Sequence, residues 1–276
     1  MAENIVVGRF LDAGEEPVET LTPIVGYETV PLVSLEEAVK PLEPLLNNLD
    51  AMVQTAKRNS RQPANGLTQD ESAAIRLYTI QWPKPHPSLF TLLNQSLRCQ
   101  DRDMLVDWYL YLKLFLTALY KLPSVSNRII WRGICGNVSD QYDKDQIWWG
   151  TSSCTENMHV MGRFVGVEGV RTLFIIECVN GKAIHAHSQY KLENEILLMP
   201  GTYLQVVDKW TPSHDLHIVH LRETNPPYQI IAPPLNPRLQ STQPTSLVNS
   251  TISDKLDDVP SAAQALSKKK HRKMVN

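Results

Sequence analysis

Two glutamates, Glu193 and Glu195, are separated by one residue and lie immediately before an apolar run that begins at Ile196. If Glu195 begins a strand, both carboxylates point to the same face of it, because side chains alternate along a strand. Two like charges on one face repel each other, and burying either of them costs desolvation free energy. Taken alone, the pair favours a solvated strand end, so its interpretation depends on residues elsewhere in the chain.

Two further groups of polar residues stand at the ends of predicted strands. Arg132 follows an apolar, β-branched run and precedes Gly133. An arginine in such a strand needs an anion, and its planar guanidinium suits a carboxylate or a phosphate; a structural ion pair is the plainer alternative. The second group is the hydroxyl-rich segment 151–155, in which Ser153 alone would be interpreted as a helix N-cap. Neither group identifies a function by itself.

Taken in order, the three groups resemble the motifs of the mono-ADP-ribosyltransferases of the R-S-E type. This family includes clostridial-type bacterial toxins and vertebrate arginine-modifying ectoenzymes. The corresponding segments are Trp131-Arg132-Gly133, Ser153-Cys154-Thr155 and Glu193-Asn194-Glu195, and the similarity extends over residues 65 to 210. One motif alone would be a weak signal, whereas three in order on suitable elements are specific.

The resemblance implies an α+β fold in which N-terminal helices precede a split β-sandwich with two roughly perpendicular sheets. It implies that NAD binds in the cleft of this sandwich as a co-substrate, without a metal, which agrees with the missing Gly-rich fingerprint of the Rossmann fold. By analogy with the family, Arg132 holds the diphosphate, Gly133 bonds the nicotinamide amide through its backbone, and Ser153 positions the ribose region. Thr155 and Arg171 are the other expected cofactor-binding residues.

The resemblance gives the two glutamates different roles. Glu195 would hydrogen-bond the 2'-hydroxyl of the nicotinamide ribose and stabilise the positive charge that develops there as nicotinamide leaves. Glu193 would face the acceptor, and an acidic residue at this position accompanies arginine acceptors in the family. A carboxylate can orient a guanidinium by paired hydrogen bonds and help to accept its proton. Tyr190, in the loop 188–192, is expected to contact the acceptor.

We therefore expect an NAD-dependent protein-arginine mono-ADP-ribosyltransferase with Glu195, Glu193 and Ser153 as catalytic residues. Two alternatives stay open: an NAD glycohydrolase with the same cleft, in which water attacks the ribose carbon, and a non-catalytic interaction module. The expected partner is a protein target that presents an arginine. The net charge of −2 indicates neither a nucleic-acid nor a membrane partner, and we expect a monomer.

The elements that must position these residues change in type along the chain. Capping boxes at Ser34–Glu37 and Thr68–Glu71 predict that helices begin there. Apolar residues at helical spacing predict three further helices, over 44–57, 88–98 and 101–120. Short β-branched segments follow from 128 to 222, so helices precede strands, as in an α+β fold.

Two local patterns among the strands carry more detailed predictions. Asn180-Gly181 predicts a hairpin between strands over 171–179 and 182–187. The segment 155–164 is predicted to be helical. His185 and His187, which would share one face of the returning strand, are interpreted as solvated, because no acidic or cysteine cluster accompanies them as in a metal site.

The length of 276 residues and the 42% hydrophobic content fit one domain with extensions. We expect an N-terminal extension with helices over 1–64, a catalytic domain over 65–223, and a disordered tail over 224–276. No signal peptide is evident and the four cysteines are widely spaced, so an intracellular, cytoplasmic location is expected. The basic run 268–273 is typical of a solvated tail, with nuclear import as the alternative.

Overall fold

Helices come first and strands second in the computed structural model, which describes residues 8–10, 16–17, 19–157 and 168–234. The α-helices within these ranges are α1 Leu35–Val39, α2 Leu49–Arg58, α3 Gln69–Thr79, α4 Leu89–Arg98 and α5 Tyr109–Lys121. The strands are β1 Ser124–Val125, β2 Arg128–Cys135, β3 Gln146–Trp148, β4 Ser152–Thr155, β5 Arg171–Cys178, β6 Gly181–Ala183, β7 Glu195–Leu198, β8 Thr202–Ser213 and β9 Leu216–Glu223. The predicted α+β fold is confirmed.

Both predicted capping boxes are present. The hydroxyl of Ser34 accepts the backbone N–H of Glu37, and Thr68 accepts that of Glu71 in the same way, while each glutamate accepts the N–H of its cap. Helix α2 begins at residue 49 instead of 44, because Asn48 has a left-handed backbone with φ 52°. The predicted helix over 101–120 is also shorter, since Arg102–Trp108 forms a 3-10 helix.

The helices enclose one hydrophobic core that extends across the predicted boundary at residue 64. Buried residues of α1 and α2 belong to the same cluster as those of α3 and α5. The segment 224–234, predicted to be disordered, also joins this cluster: Ile230 and Ala232 are buried, and Ile24 forms backbone hydrogen bonds with both. That part of the tail prediction is wrong, and the rest of the tail lies outside the described residues.

The nine strands of the described residues are hydrogen-bonded in the order β1-β6-β7-β4-β2-β5-β9-β8-β3. All neighbours are antiparallel except β5 and β9. Strands β2 and β4 share a single registered pair, Trp131 with Thr155, whereas β2 and β5 share eight. The strands therefore divide into a group of four and a group of five that meet at this pair, next to Arg132 and Ser153. Among the described residues, no helix is long and apolar enough to cross a bilayer.

The predicted hairpin at Asn180-Gly181 is wrong. Strand β6 pairs with β7 and β1, whereas β5 pairs with β2 and β9, so the chain leaves one group of strands here and enters the other. The buried carboxylate of Glu223 holds this crossing, because it accepts the backbone N–H groups of Val179 and Asn180 at 2.7 and 2.9 Å. The Asn180 side chain donates to its other oxygen at 3.0 Å. Residue 155 is also not helical but ends β4, and 158–164 lie outside the described residues.

Replacing Glu223 by glutamine should destabilise the fold at this crossing. One of its two acceptor oxygens becomes an NH2 group that faces N–H donors, so the expected loss of unfolding free energy is about 1–3 kcal/mol. Glu177→Gln is the matched control, since Glu177 lies in β5 but its ion pair with Arg222 is exposed, and it should cost less than about 1 kcal/mol. Urea unfolding of both variants measures the difference, and equal losses would contradict the assigned role of Glu223.

Candidate active site

Glu195 lies at the centre of the candidate site, at the start of β7. It is the registered partner of Thr155 in β4, and its side chain has no exposed surface. The hydroxyl of Ser188 donates to its Oε2 at 3.3 Å. A carboxylate buried in this way needs compensating donors or a cation, because desolvation disfavours its charged form.

Glu193 reaches the same place by a different backbone path from the predicted one. It ends a 3-10 turn over Lys191–Glu193, and Asn194 then has a left-handed backbone with φ 45° and ψ 46°. The two glutamates therefore do not share a face through strand alternation, and that premise is wrong. The hydroxyl of Thr155 donates to the backbone carbonyl of Glu193 at 3.1 Å, which fixes the turn beside β4.

The cation between the two carboxylates is Arg9, from a 3-10 helix over Gly8–Phe10. Its Nε donates to Glu195 Oε1 at 2.8 Å, and its Nη2 donates to Glu195 Oε2 at 3.0 Å and also to Glu193 Oε2. The Arg9 side chain has no exposed surface, and that of Glu193 is 12% exposed. Burial alone would lower the pKa of Arg9, but the attraction of Glu195 and Glu193 outweighs it, and the pKa is raised.

The guanidinium of Arg9 is also enclosed by aromatic rings and a helix carbonyl. Its central carbon lies 5.0 Å from the ring centre of Tyr190 and 5.1 Å from that of Phe10. Its Nη1 donates to the carbonyl of Thr79, at the end of α3, at 3.2 Å. Aromatic faces stabilise a guanidinium, so carboxylates and rings together form a pocket suited to this group.

Arg132 and Ser153 border the same site across the junction of β2 and β4. The Nη1 of Arg132 donates to the carbonyl of Ser153 at 2.8 Å and to the carbonyl of Arg9 at 3.3 Å. Within the described part of the chain, the buried hydroxyl of Ser153 has no hydrogen-bond partner. Such a group costs about 1–3 kcal/mol unless something binds it, so it is a candidate contact for a ligand.

The other expected cofactor residues occupy different places. Ser153 and Thr155 share one face of β4, and Gly133 is buried in β2 beside Arg132. Arg171 pairs with Cys135 at the far end of β2, and its side chain donates to the carbonyl of Gly169 at 2.8 Å. The structure thus brings the three motifs together at the junction and leaves Arg171 at the periphery. The roles of these residues toward NAD stay predictions.

The side of the site that contains Arg98 and Arg132, which we call its basic side, holds a second ion pair from the N-terminal residues. Glu16 accepts the Nε of Arg98 at 2.8 Å and the backbone N–H of Trp149 at 2.8 Å. Burial raises the pKa of Glu16, while the charges of Arg98 and Arg132 act in the opposite direction. Sequence reasoning missed both Arg9 and Glu16, since neither lies in a recognisable motif.

The loop before Glu193 is anchored on α3, which sequence reasoning also missed. Arg76 donates to the carbonyl of Ser188 at 2.5 Å, and the ring of His187 meets the hydroxyl of Ser72 at 2.9 Å and the amide oxygen of Asn65 at 3.1 Å. His187 is fully buried, so the expectation of a solvated histidine is wrong for it. Burial, with the nearby charges of Arg76 and His185, lowers the pKa of His187 to about 4.

This loop should make stability depend on acid pH. Because the pKa of His187 lies below its usual value of 6.5, the unfolded chain takes up the proton first. The contribution is present above pH 6.5 and is lost toward pH 4; it amounts to about 3 kcal/mol at most. Urea unfolding between pH 7 and 4.5 should show a smaller decrease for His187→Gln than for wild type. The control His214→Gln, at a 95% exposed side chain, should follow wild type; equal slopes for wild type and His187→Gln would contradict the assignment.

Among the described residues, no group of three or more histidine, cysteine, aspartate or glutamate side chains is arranged to hold a metal ion. The candidate site contains carboxylates, guanidinium groups and hydroxyls. Its buried carboxylate pair and its neighbouring basic side are the features that a substrate must complement.

Comparisons with solved structures identify the class of the fold. The eucaryotic mono-ADP-ribosyltransferase ART2.2 is similar with a TM-score of 0.50 and 18% identity, over 70% of this chain and 85% of that one. The Vis toxin from Vibrio splendidus, an ADP-ribosyltransferase, has a TM-score of 0.47 and 18% identity, over 72% and 90%. HopU1 of Pseudomonas syringae pv. tomato DC3000 has a TM-score of 0.48 and 16% identity, over 71% and 89%. At these identities the similarity concerns the fold alone, and the conclusion rests on ART2.2, which has a TM-score of 0.50. The fold is that of an ADP-ribosyltransferase.

The family follows from the sequence. The family described as NAD:arginine ADP-ribosyltransferase matches residues 34–226, which is more than half of the chain. The chain belongs to this family, whose members use NAD as a substrate, and the predicted resemblance to mono-ADP-ribosyltransferases is confirmed. No curated protein matches the chain.

Proposed function

We propose that this protein transfers ADP-ribose from NAD to arginine side chains of a protein target and releases nicotinamide. The observation that carries the proposal is the binding of a guanidinium by the candidate catalytic residues. Arg9 bonds both Glu195 and Glu193, and Tyr190 lies 5.0 Å from its central carbon. A pocket that holds the guanidinium of Arg9 has the charge and the hydrogen-bond acceptors to hold that of a target arginine.

The remaining residues of the site fit NAD as the co-substrate. Arg132 supplies a buried guanidinium, which suits a diphosphate, and the unpartnered hydroxyl of Ser153 lies on the same face of β4 as the residue paired with Glu195. NAD supplies the ribose carbon that is transferred. In this proposal Arg132, Gly133 and Ser153 hold and orient NAD, with Thr155 supporting the turn that carries Glu193.

The proposal separates the work of the two carboxylates. Glu195 is held in place by the pairing of its strand β7 with β4 and by the hydrogen bond from Ser188. A carboxylate fixed in this way stabilises the positive charge that develops at the ribose carbon. Glu193 lies in a turn at the edge of the site and is 12% exposed, so a target residue can reach it. It orients the acceptor guanidinium and helps to accept its proton.

Glutamine variants test this division. Glu195→Gln should lower both nicotinamide release and transfer by a factor of about 100 or more, because it removes the charge that stabilises the transition state. Glu193→Gln should retain NAD hydrolysis and lose transfer to arginine. The measurement uses isotope-labelled NAD with agmatine as a small guanidino acceptor and with cell lysate, and hydroxylamine lability identifies a guanidine-type bond.

The assay is run with the wild-type chain and with Arg9→Ala, because Arg9 itself contacts both carboxylates. If folded proteins of both kinds neither consume NAD nor label an acceptor, the proposed function is wrong. If free ADP-ribose is the sole product with agmatine in excess, the protein is an NAD glycohydrolase. Equal effects of the two glutamine variants on hydrolysis would contradict the separate roles.

A further inference from the structure

We propose that the N-terminal segment, by which we mean the described residues 8–10, 16 and 17, is an intramolecular inhibitor that occupies the sites of both the acceptor and NAD. The inference rests on the proposed function and adds a regulatory state to it. It is carried by four observations: the position of Arg9, the position of Glu16, the backbone contact with Arg132, and the lack of exposed surface at the site.

The first observation is that Arg9 takes the place of an acceptor arginine. Its guanidinium forms a fork with both oxygens of Glu195 and a further bond with Glu193. These are the groups that, under the proposed function, must face the ribose and the acceptor. Paired hydrogen bonds between a guanidinium and a carboxylate are among the strong polar contacts in proteins, so a free arginine must displace this one before it can bind.

The second observation is that Glu16 takes the place of an anion. Its carboxylate accepts the Nε of Arg98 and the backbone N–H of Trp149, both at 2.8 Å, three residues before the strand β4 that contains Ser153. Under the proposed function Arg132 binds the diphosphate of NAD. The segment thus presents a positive charge to the acidic side of the site and a negative charge to its basic side, which is the charge pattern of the two substrates.

The third observation is that the backbone of the segment touches the motif arginine itself. The carbonyl of Arg9 accepts a hydrogen bond from Arg132 Nη1 at 3.3 Å, on the same nitrogen that bonds the carbonyl of Ser153. The side chain of Arg132 is therefore engaged by the segment as well as by its own sheet, and a diphosphate would have to compete for it.

The fourth observation is that the central residues have almost no exposed surface in the structure. The side chain of Glu195 has no exposed surface, Ser153 is 0% exposed and Arg132 is 3% exposed. A ribose hydroxyl or a phosphate needs contact distances of about 3 Å to bond them. Arg9 must therefore withdraw before NAD can bind, and the observed dissociation constant is the intrinsic one divided by the fraction of open molecules.

The experiment compares wild type, Arg9→Ala, Arg9→Lys and Arg58→Ala. Binding of ADP-ribose, which is not consumed, is measured by isothermal titration calorimetry, and nicotinamide release from NAD gives kcat and KM. Arg58 lies at the exposed end of α2, where its side chain donates to Thr55 of the same helix, so Arg58→Ala is the matched control. Urea unfolding establishes that each variant is folded.

Arg9→Ala should bind ADP-ribose about tenfold or more tightly than wild type and lower the KM for NAD by a similar factor, with kcat changed less, because the closed state is removed. Arg9→Lys should lie between the two, since an ammonium keeps the charge but cannot form the fork with both oxygens of Glu195. Arg58→Ala should behave as wild type.

The outcomes separate this inference from the proposed function. Equal binding and equal activity in wild type and Arg9→Ala would overturn the inhibitor and leave the transferase standing. Weaker binding in Arg9→Ala would also overturn it, and would assign Arg9 to the substrate site instead. If folded wild type and Arg9→Ala neither bind ADP-ribose nor release nicotinamide, the proposed function is wrong, and so is the proposal of an intramolecular inhibitor.

Discussion

Two carboxylates held together away from water are the constraint on which this site depends. Glu195 has no exposed surface and Glu193 has little, so their charges cannot be solvated in the ordinary way. Isolated buried carboxylates neutralise or recruit a cation, since the desolvation of the charged form is large. The cation here is a guanidinium, whose fixed fork can bond several oxygens at once and whose charge persists at any accessible pH. A lysine would satisfy the charge but not the geometry.

The fold supplies the rigidity that keeps these charges in place. Glu195 is fixed by β4 and β7, and the short pairing between β2 and β4 puts Arg132 beside Ser153 at the junction of the two groups of strands. The loop that leads to Glu193 is bound to α3 through Arg76. Helix α3 belongs to the hydrophobic core and anchors the loop that leads to Glu193. The stability of the core and the geometry of the site are therefore coupled.

The sequence predicted the order of elements and the residues of the three motifs, because both are encoded locally. Capping boxes and apolar periodicity depend on neighbours in the chain, and Arg132, Ser153 and Glu195 stand in recognisable short patterns. The prediction of a hairpin at Asn180-Gly181 was wrong because the distant carboxylate of Glu223 accepts the backbone N–H groups of this turn. The chain then continues into the other group of strands. No window around residue 180 contains that information.

Arg9 could not have been predicted for the same reason. Arg9 lies in a short segment with no motif. Its role depends on its contacts with Glu193 and Glu195, which lie more than 180 positions away in sequence. The alternation argument for those two glutamates also failed, since a left-handed residue between them makes the turn. The sequence did show two carboxylates separated by one residue at the start of an apolar run, but by themselves they were equally consistent with a solvated strand end.

An arginine of the same chain is well suited to the position between the two carboxylates, but it is not placed as an acceptor. Because Arg9 belongs to the same chain as the site, its binding is intramolecular, and it can compete with free acceptors without any stronger contact. Yet Arg9 as placed is not an acceptor, because the oxygens of Glu195 that would face the ribose are bonded to Arg9 itself. Under the proposed function, transfer requires Glu195 to be directed at NAD and Glu193 at the acceptor, and one guanidinium that holds both excludes that arrangement. The proposed preference for a guanidinium and the proposed closed state of the site thus share one physical origin, the combined charge of the two carboxylates.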